Sequence, residues 1–231
     1  FYTACRIKGE ERPVLLARLK LADTARAVLK NAMTLIDAIG TVTEESGAAI
    51  EAARAVDAVV IIDEAYHYFY PNTFIDLTQT YDNVIVMRTF SKLFSLAACR
   101  LGVIISNPAI IHYVENAKLT FDVNALALLF GEKILDHPEI AEELIAAERE
   151  GRTWTIETLR KQGYEARPSE GNFIFIRTHR PAPEVAADLE ARNILVKSWN
   201  SGMLADFLRV STGSKAAMEK FVDALLEVDA A

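Results

Sequence analysis

The run RTFSKLFSLAACRLG, Arg88 to Gly102, follows the apolar residues Val84 to Met87 and sets a hydroxyl, an amine and a guanidinium past the end of a buried strand. A lysine at the edge of a core, the position expected of Lys92, sheds hydration, loses basicity and becomes a nucleophile toward carbonyl carbon. Ser91 and Arg100 suit an anion, since both donate hydrogen bonds and the guanidinium adds charge. Thr89 is a further hydroxyl at the same strand end. A second apolar run, Ala58 to Ile62, ends in Asp63, Glu64, Ala65 and Tyr66, so a carboxylate and a phenol also stand just past a strand.

Ligands of open parallel sheets bind outside the carboxyl ends of the strands, so both groups of residues are expected to border one crevice. Asp63 with Glu64 could also be the acidic element that holds magnesium in a nucleotide hydrolase. That chemistry needs a GxxxxGK[ST] loop, and no glycine of this chain opens one. The combined set instead meets the needs of pyridoxal phosphate: Asp63 to keep the ring nitrogen protonated, Tyr66 for the ring hydroxyl, Lys92 for the aldehyde, Ser91 and Arg100 for the phosphate. His67, His112, His137 and His179 are scattered and show no metal-ligand spacing.

The elements that must position these residues follow from periodicity. Apolar residues from Leu21 to Leu35 recur at steps of four and three, which predicts a helix over 19–39 after a short strand at 14–16. Gly40 ends that helix, and a short one follows Thr43 with Ile50, Ala53 and Val56 on its buried stripe. Ala58–Ile62, Val84–Met87 and Leu101–Ile105 read as parallel strands covered on both faces, with helical pattern again over 109–135. Pro138 and Glu139 open a helix reaching Gly163, on which Glu142, Glu143, Glu148 and Glu150 are expected to form a solvated face. Strands are predicted at 172–177, 194–198 and 207–212, a helix at 183–192, and a last helix from Ser214 to Val228 burying Met218, Phe221 and Leu225. The texture changes near residue 137, giving two expected domains, 1–137 and 138–231.

The 231 residues are 51% hydrophobic, enough for a substantial core. A net charge of -7 argues against a polyanion-binding surface, which needs clustered Lys and Arg, so no nucleic-acid partner is expected. Cys5 and Cys99 lack metal spacing and read as free thiols of a reducing compartment. No apolar run reaches the roughly 18 residues of a membrane span, and Phe1 opens the chain without a leader, so the cytoplasm is the expected location.

VVIIDEAYHYF (Val59 to Phe69) and YDNVIVMRTFSKLFSLAACRLG (Tyr81 to Gly102) resemble the histidinol-phosphate aminotransferase family, within the fold-type I class I/II aminotransferases. FLRVSTGS, Phe207 to Ser214, resembles the family's late strand, whose arginine binds the substrate carboxylate, which makes Arg209 that residue. The resemblance implies an α/β fold with a mostly parallel sheet, flanking helices and a smaller C-terminal α+β domain. It implies a pyridoxal-phosphate-dependent aminotransferase, active as a homodimer. The amino group would pass between an amino acid or amino alcohol phosphate, of the histidinol phosphate kind, and a 2-oxo acid. Lys197 stands where the family often has arginine, and lysine is the poorer bidentate clamp for a distal phosphate.

Two departures accompany the resemblance. LIDAIGTVTEE occupies the place of the family's PNNPTG-type loop and carries no asparagine. Tyr2 to Gly9 resembles a segment inside the large domain, so the chain is expected to lack the family's N-terminal portion, with its ring-stacking aromatic and part of its phosphate cup. A decarboxylase on the same scaffold, or a truncated non-catalytic homologue, are the alternatives these residues leave open.

Overall fold

The α1 helix (Glu44–Arg54) turns Ile50 and Ala53 into the protein and stops at Arg54, where the amide of Ala58 donates back to the carbonyl of Ala53. Val56, expected on the same stripe, lies past this stop and is 47% exposed. The computed structural model describes residues 44–230 other than 57, 71 and 118–121. The expected helix over 19–39, the strand at 14–16, the loop tail Gly40 to Val42, the segment Tyr2 to Gly9 and Cys5 lie outside the described residues. The chain divides into two compact units. One holds the described residues of 44–67, 72–91 and 95–131, the other 68–70, 92–94 and 132–230.

In the first unit, β1 (Val60–Asp63), the one-turn α2 (Leu77–Thr80), β2 (Val84–Thr89) and β3 (Gly102–Ser106) follow α1. The sheet order is β1-β2-β3, and β1 runs parallel to β2 with Val60 opposite Val84 and Asp63 opposite Met87. Asn83 is buried at the start of β2, where its side-chain amide donates to the carbonyls of Ile50 and Ala58 and staples α1 to the approach of β1. Ile50, Phe74, Leu77, Val84 and Val86 form the core.

Two expectations for this sheet are corrected. β3 is antiparallel to β2, with Thr89 opposite Gly102, because the connection over 90–101 contains one 3-10 turn (Ala97–Cys99) and no crossover helix. Gly102 permits the pairing, since a Cβ there would stand 3.0 Å from the carbonyl oxygen of Arg88. Nor are the strands covered on both faces by the described residues. β1 alternates half-buried and exposed positions, with Ile61 43% exposed, and Val103 and Ile104 of β3 are exposed as well. The helical stretch expected over 109–135 is two helices, α3 (Pro108–Ala117) and α4 (Ala125–Asp136). The side-chain oxygens of Asn107 and Asn124 accept from the amides of Ile110 and Ala127, capping each start.

The second unit is built on α5 (Pro138–Lys161), β4 (Glu165–Arg167), β5 (Phe173–Arg177), α6 (Ala182–Glu190), β6 (Phe207–Ser211) and α7 (Lys215–Val228). Its sheet runs β4-β5-β6, antiparallel throughout, over a core that includes Leu159, Ile174, Ile176, Leu189, Leu208 and Leu225. Met218, Phe221 and Leu225 of α7 are buried, as their spacing predicts. The strand expected at 194–198 is reduced to one bridge, Lys197 with Arg209. Its β-branched composition reads as a strand, yet Leu195 is 80% exposed and the segment pairs only at that point. Glu148, expected on a solvated face, is only 5% exposed, because it meets the end of β6 through Thr212.

Candidate functional site

The parallel pairing of β1 and β2 brings two chemically loaded strand ends side by side. Asp63 closes β1 opposite Met87 and is exposed, with one carboxylate oxygen accepting from the amide of Ala65 at 2.9 Å. Such a local bond shapes the turn after the strand, in which Tyr66 is half-buried. The Glu64 amide donates to the Met87 carbonyl at 2.8 Å, extending the ladder one step beyond the strand.

Past β2, the amide of Ser91 donates to Thr89 Oγ1 at 3.1 Å, so the Thr89 hydroxyl turns the chain as it leaves the sheet. The Phe90 amide donates to the Leu101 carbonyl, and the Leu96 amide to the Phe90 carbonyl, which closes the loop between β2 and β3. Arg100 ends the 3-10 turn in the left-handed conformation, φ 55°, with its guanidinium donating to the Ala97 carbonyl at 3.0 Å. The β2–β3 register therefore holds Arg100 beside the same strand end from which Ser91 departs. Asp63, Tyr66, Ser91 and Arg100 thus all belong to the end of the first unit's sheet at which β1 and β2 finish.

Lys92 follows Ser91 directly and is exposed, whereas a buried edge was expected for it. The reason is local: the turn that carries Lys92 buries its neighbour Leu93 instead. Lys92 is grouped with the second unit, as is Arg209. On β6, Leu208 and Val210 enter the core while Arg209 is exposed, its guanidinium carbon 5.3 Å from the centre of the Phe173 ring. Arg209 and Lys197 exchange backbone hydrogen bonds of 2.8 and 3.1 Å, which sets the two cationic residues opposite each other. Lys197 Nζ lies 5.7 Å from the Trp199 ring centre.

A group of residues given no role by the motifs stands directly behind the strand ends. Glu64, 8% exposed, accepts from Arg88 Nε at 2.9 Å, from the Thr73 hydroxyl at 2.9 and 3.0 Å, and from the Phe74 amide at 2.6 Å. Arg88 also donates to the Thr73 hydroxyl at 2.8 Å. His67 Nδ1 lies 3.9 Å from Glu64, and burial together with the Arg88 charge lowers the imidazole below its ordinary pKa. The available signal was a pair of opposite charges, Glu64 and Arg88, just past the ends of two strands read as parallel.

Chemically, the first unit offers an exposed carboxylate, a phenol, a hydroxyl and an arginine, and Lys92 is the next residue along the chain from that hydroxyl. That donor set fits a phosphorylated pyridine aldehyde, which needs an acid for its ring nitrogen, donors for its hydroxyl and phosphate, and an amine. Among the described residues no group of three or more His, Cys, Asp or Glu could hold a metal ion, and no helix is long and apolar enough to cross a membrane.

The profile of the family described as Aminotransferase class I and II matches residues 42–225. A second profile, the DALR anticodon binding domain, matches residues 1–44, so Tyr2 to Gly9 falls within that match and outside the first. The chain is 36% identical over 179 residues to a histidinol-phosphate aminotransferase of Geotalea daltonii, covering 77% of this chain and 52% of that protein. With one from Symbiobacterium thermophilum it shares 37% over 169 residues, 72% of this chain and 47% of the other. The chain spans about half the length of the curated relatives it matches. In fold it is similar to the histidinol-phosphate aminotransferase of Sinorhizobium meliloti, solved in complex with pyridoxal-5'-phosphate (TM-score 0.69, 23% identity, 79% of this chain and 52% of that one). A decarboxylase from Sulfurospirillum multivorans is similar at TM-score 0.71 and 18% identity, over 91% and 60%.

Proposed function

Because the chain belongs to the class I and II aminotransferase family, we propose that it acts as a pyridoxal-phosphate-dependent aminotransferase. The amino group passes between an amino acid or amino alcohol phosphate, of the histidinol phosphate kind named for its relatives, and a 2-oxo acid. The main support is the parallel register of β1 and β2, in which Asp63 ends one strand beside the exit of Ser91 from the other.

When bound, pyridoxal phosphate supplies an aldehyde that captures amines and a ring that accepts the electron pair released at the substrate carbon. In this reading Asp63 holds a proton at the ring nitrogen, Tyr66 donates to the ring hydroxyl, and Ser91 and Arg100 hold the phosphate. Lys92 Nζ would hold the aldehyde and would serve as the base that accepts a proton at the substrate carbon. Arg209 orients the substrate carboxylate. A homodimer in the cytoplasm, serving amino-acid biosynthesis, is the setting this function implies.

The test is to add pyridoxal phosphate to the purified protein and follow its visible absorbance, then screen amino donors for conversion of the cofactor to its amine form. Wild-type protein is expected to develop a band that Lys92→Ala lacks. A band that survives Lys92→Ala sinks the assignment of that lysine. Carbon dioxide release without any 2-oxo acid identifies a decarboxylase instead. A folded protein that takes up no cofactor leaves only a non-catalytic role.

A further inference from the structure

We propose that Glu64 and Arg88 are positioning residues, a largely buried ion pair, with Glu64 buried and Arg88 half-buried, that fixes the Asp63 and Ser91 strand ends relative to each other. This rests on the function above for its consequence, though its geometry stands without it. Glu64 is bonded to β2 twice, by its amide to the Met87 carbonyl at 2.8 Å and by its carboxylate to Arg88 Nε at 2.9 Å. On one side its neighbour is Asp63. On the other, Arg88 precedes Thr89, whose hydroxyl accepts from the Ser91 amide. A continuous path of bonds therefore runs from the carboxylate assigned to the ring nitrogen to the hydroxyl assigned to the phosphate.

The pair is enclosed on its third side by residues 73 and 74. Thr73 accepts from Arg88 at 2.8 Å and donates to Glu64, and the Phe74 amide donates to Glu64 at 2.6 Å. Both Glu64 oxygens are thereby satisfied, which a buried carboxylate requires. A buried ion pair adds little net stability over apolar side chains of the same volume, because desolvation offsets the attraction. What it does add is direction. Two apolar side chains can slide past each other, whereas a carboxylate held by a guanidinium, a hydroxyl and an amide has one satisfied arrangement.

The experiment uses the full chain and two readouts. Amide hydrogen exchange of the protein without cofactor is compared for wild type, Glu64→Gln, Arg88→Met and Glu64→Asp. Positioning predicts faster exchange at Glu64, Phe74 and Ser91 in the first two variants, unchanged protection at Val84 and Val86 in the core of β2, and partial recovery in Glu64→Asp. The dissociation constant for pyridoxal phosphate is then expected to rise about tenfold in Glu64→Gln and Arg88→Met alike, the double variant being no weaker than either, as for partners of one buried pair. Exchange that stays at wild-type level, or that rises equally at Val84 and Val86, overturns the inference. So does wild-type cofactor affinity in Glu64→Gln. If wild type itself takes up no cofactor, the proposed function fails, and the exchange pattern alone decides the positioning role.

Discussion

Thr212 Oγ1 donates to Glu148 Oε1 across 2.6 Å, joining the middle of α5 to the end of β6 inside the second unit. Arg152 Nε stands 3.4 Å from the same oxygen, while Glu148 Oε2 accepts no hydrogen bond among the described residues. Thr212→Val keeps the shape and removes the donor, leaving a buried carboxylate poorly satisfied. The expected loss is about 1–3 kcal/mol of unfolding free energy, read as a lower urea midpoint with unchanged slope. Unaltered stability would show that Arg152 alone suffices for the carboxylate.

One turn along α5, Gly151 meets the segment that leads into α7. A Cβ there would stand 2.1 Å from the Gly213 carbonyl oxygen and 2.9 Å from the Lys215 amide nitrogen, both backbone atoms that cannot rotate aside. Gly151→Ala should therefore destabilise, although alanine is the better helix former. Overpacking of this kind costs about 1–3 kcal/mol, against a propensity gain of about 1 kcal/mol. A thermal melt at or above the wild-type midpoint would contradict the close approach of α5 to this segment.

Tyr164 is buried, its hydroxyl 3.4 Å from the Asp229 carbonyl and its ring stacked on His179. Burial, and then the Asp229 charge, push the phenol up from its ordinary 10 to about 12. A phenol that ionises less readily in the fold contributes stability in full below pH 10. That contribution is lost as pH rises toward 12, because unfolding then exposes a group that readily gives up its proton. Chemical denaturation at several pH values should show wild type losing stability over this window, with a smaller decline in Tyr164→Phe. Equal slopes would remove Tyr164 as the cause.

His67 acts in the opposite sense. Burial first, and the nearby Arg88 charge second, hold the imidazole below its ordinary value of 6.5. The neutral ring is favoured in the fold, so its contribution is present above pH 6.5 and is lost as pH falls below it, when the unfolded chain takes up a proton that the folded one refuses. His67→Gln should flatten this acid decline in stability. An identical decline in the variant would assign it to other groups.

Legibility in the sequence followed the range of the interactions concerned. Asp63 and Ser91 could be placed at strand ends because each follows an unbroken apolar run, and the Pro138 start of α5 was visible in proline and acid spacing alone. The direction of β3 was not legible, since the run from Leu101 to Ile105 has the same composition whichever way it pairs. Glu148 shows the same limit. Its neighbours on α5 are solvated acids, and only Thr212, remote in sequence, makes its position an interior one. The strand expected at 194–198 failed because pairing needs a partner, and Arg209 supplies one for Lys197 alone. Glu64 and Arg88 were readable as charges, but only the parallel register turns them into a pair.

Thr89 offers the most direct check of how the anion-binding end is shaped. Its hydroxyl accepts from the Ser91 amide at 3.1 Å and reaches toward the Leu101 carbonyl at 3.5 Å, too long to count for much. The first bond therefore carries the turn. Thr89→Val preserves β-branching at the end of β2 and deletes the acceptor, whereas Thr89→Ser keeps the acceptor and deletes a methyl group. A net hydrogen bond of this kind is worth about 1 kcal/mol, equivalent to several-fold in affinity. In the proposed function, Thr89→Val should weaken pyridoxal phosphate binding by that factor, with little effect on pyridoxal lacking the phosphate, and Thr89→Ser should restore it. Equal weakening for both forms of the cofactor would place the effect of Thr89 on the sheet as a whole, away from the phosphate turn.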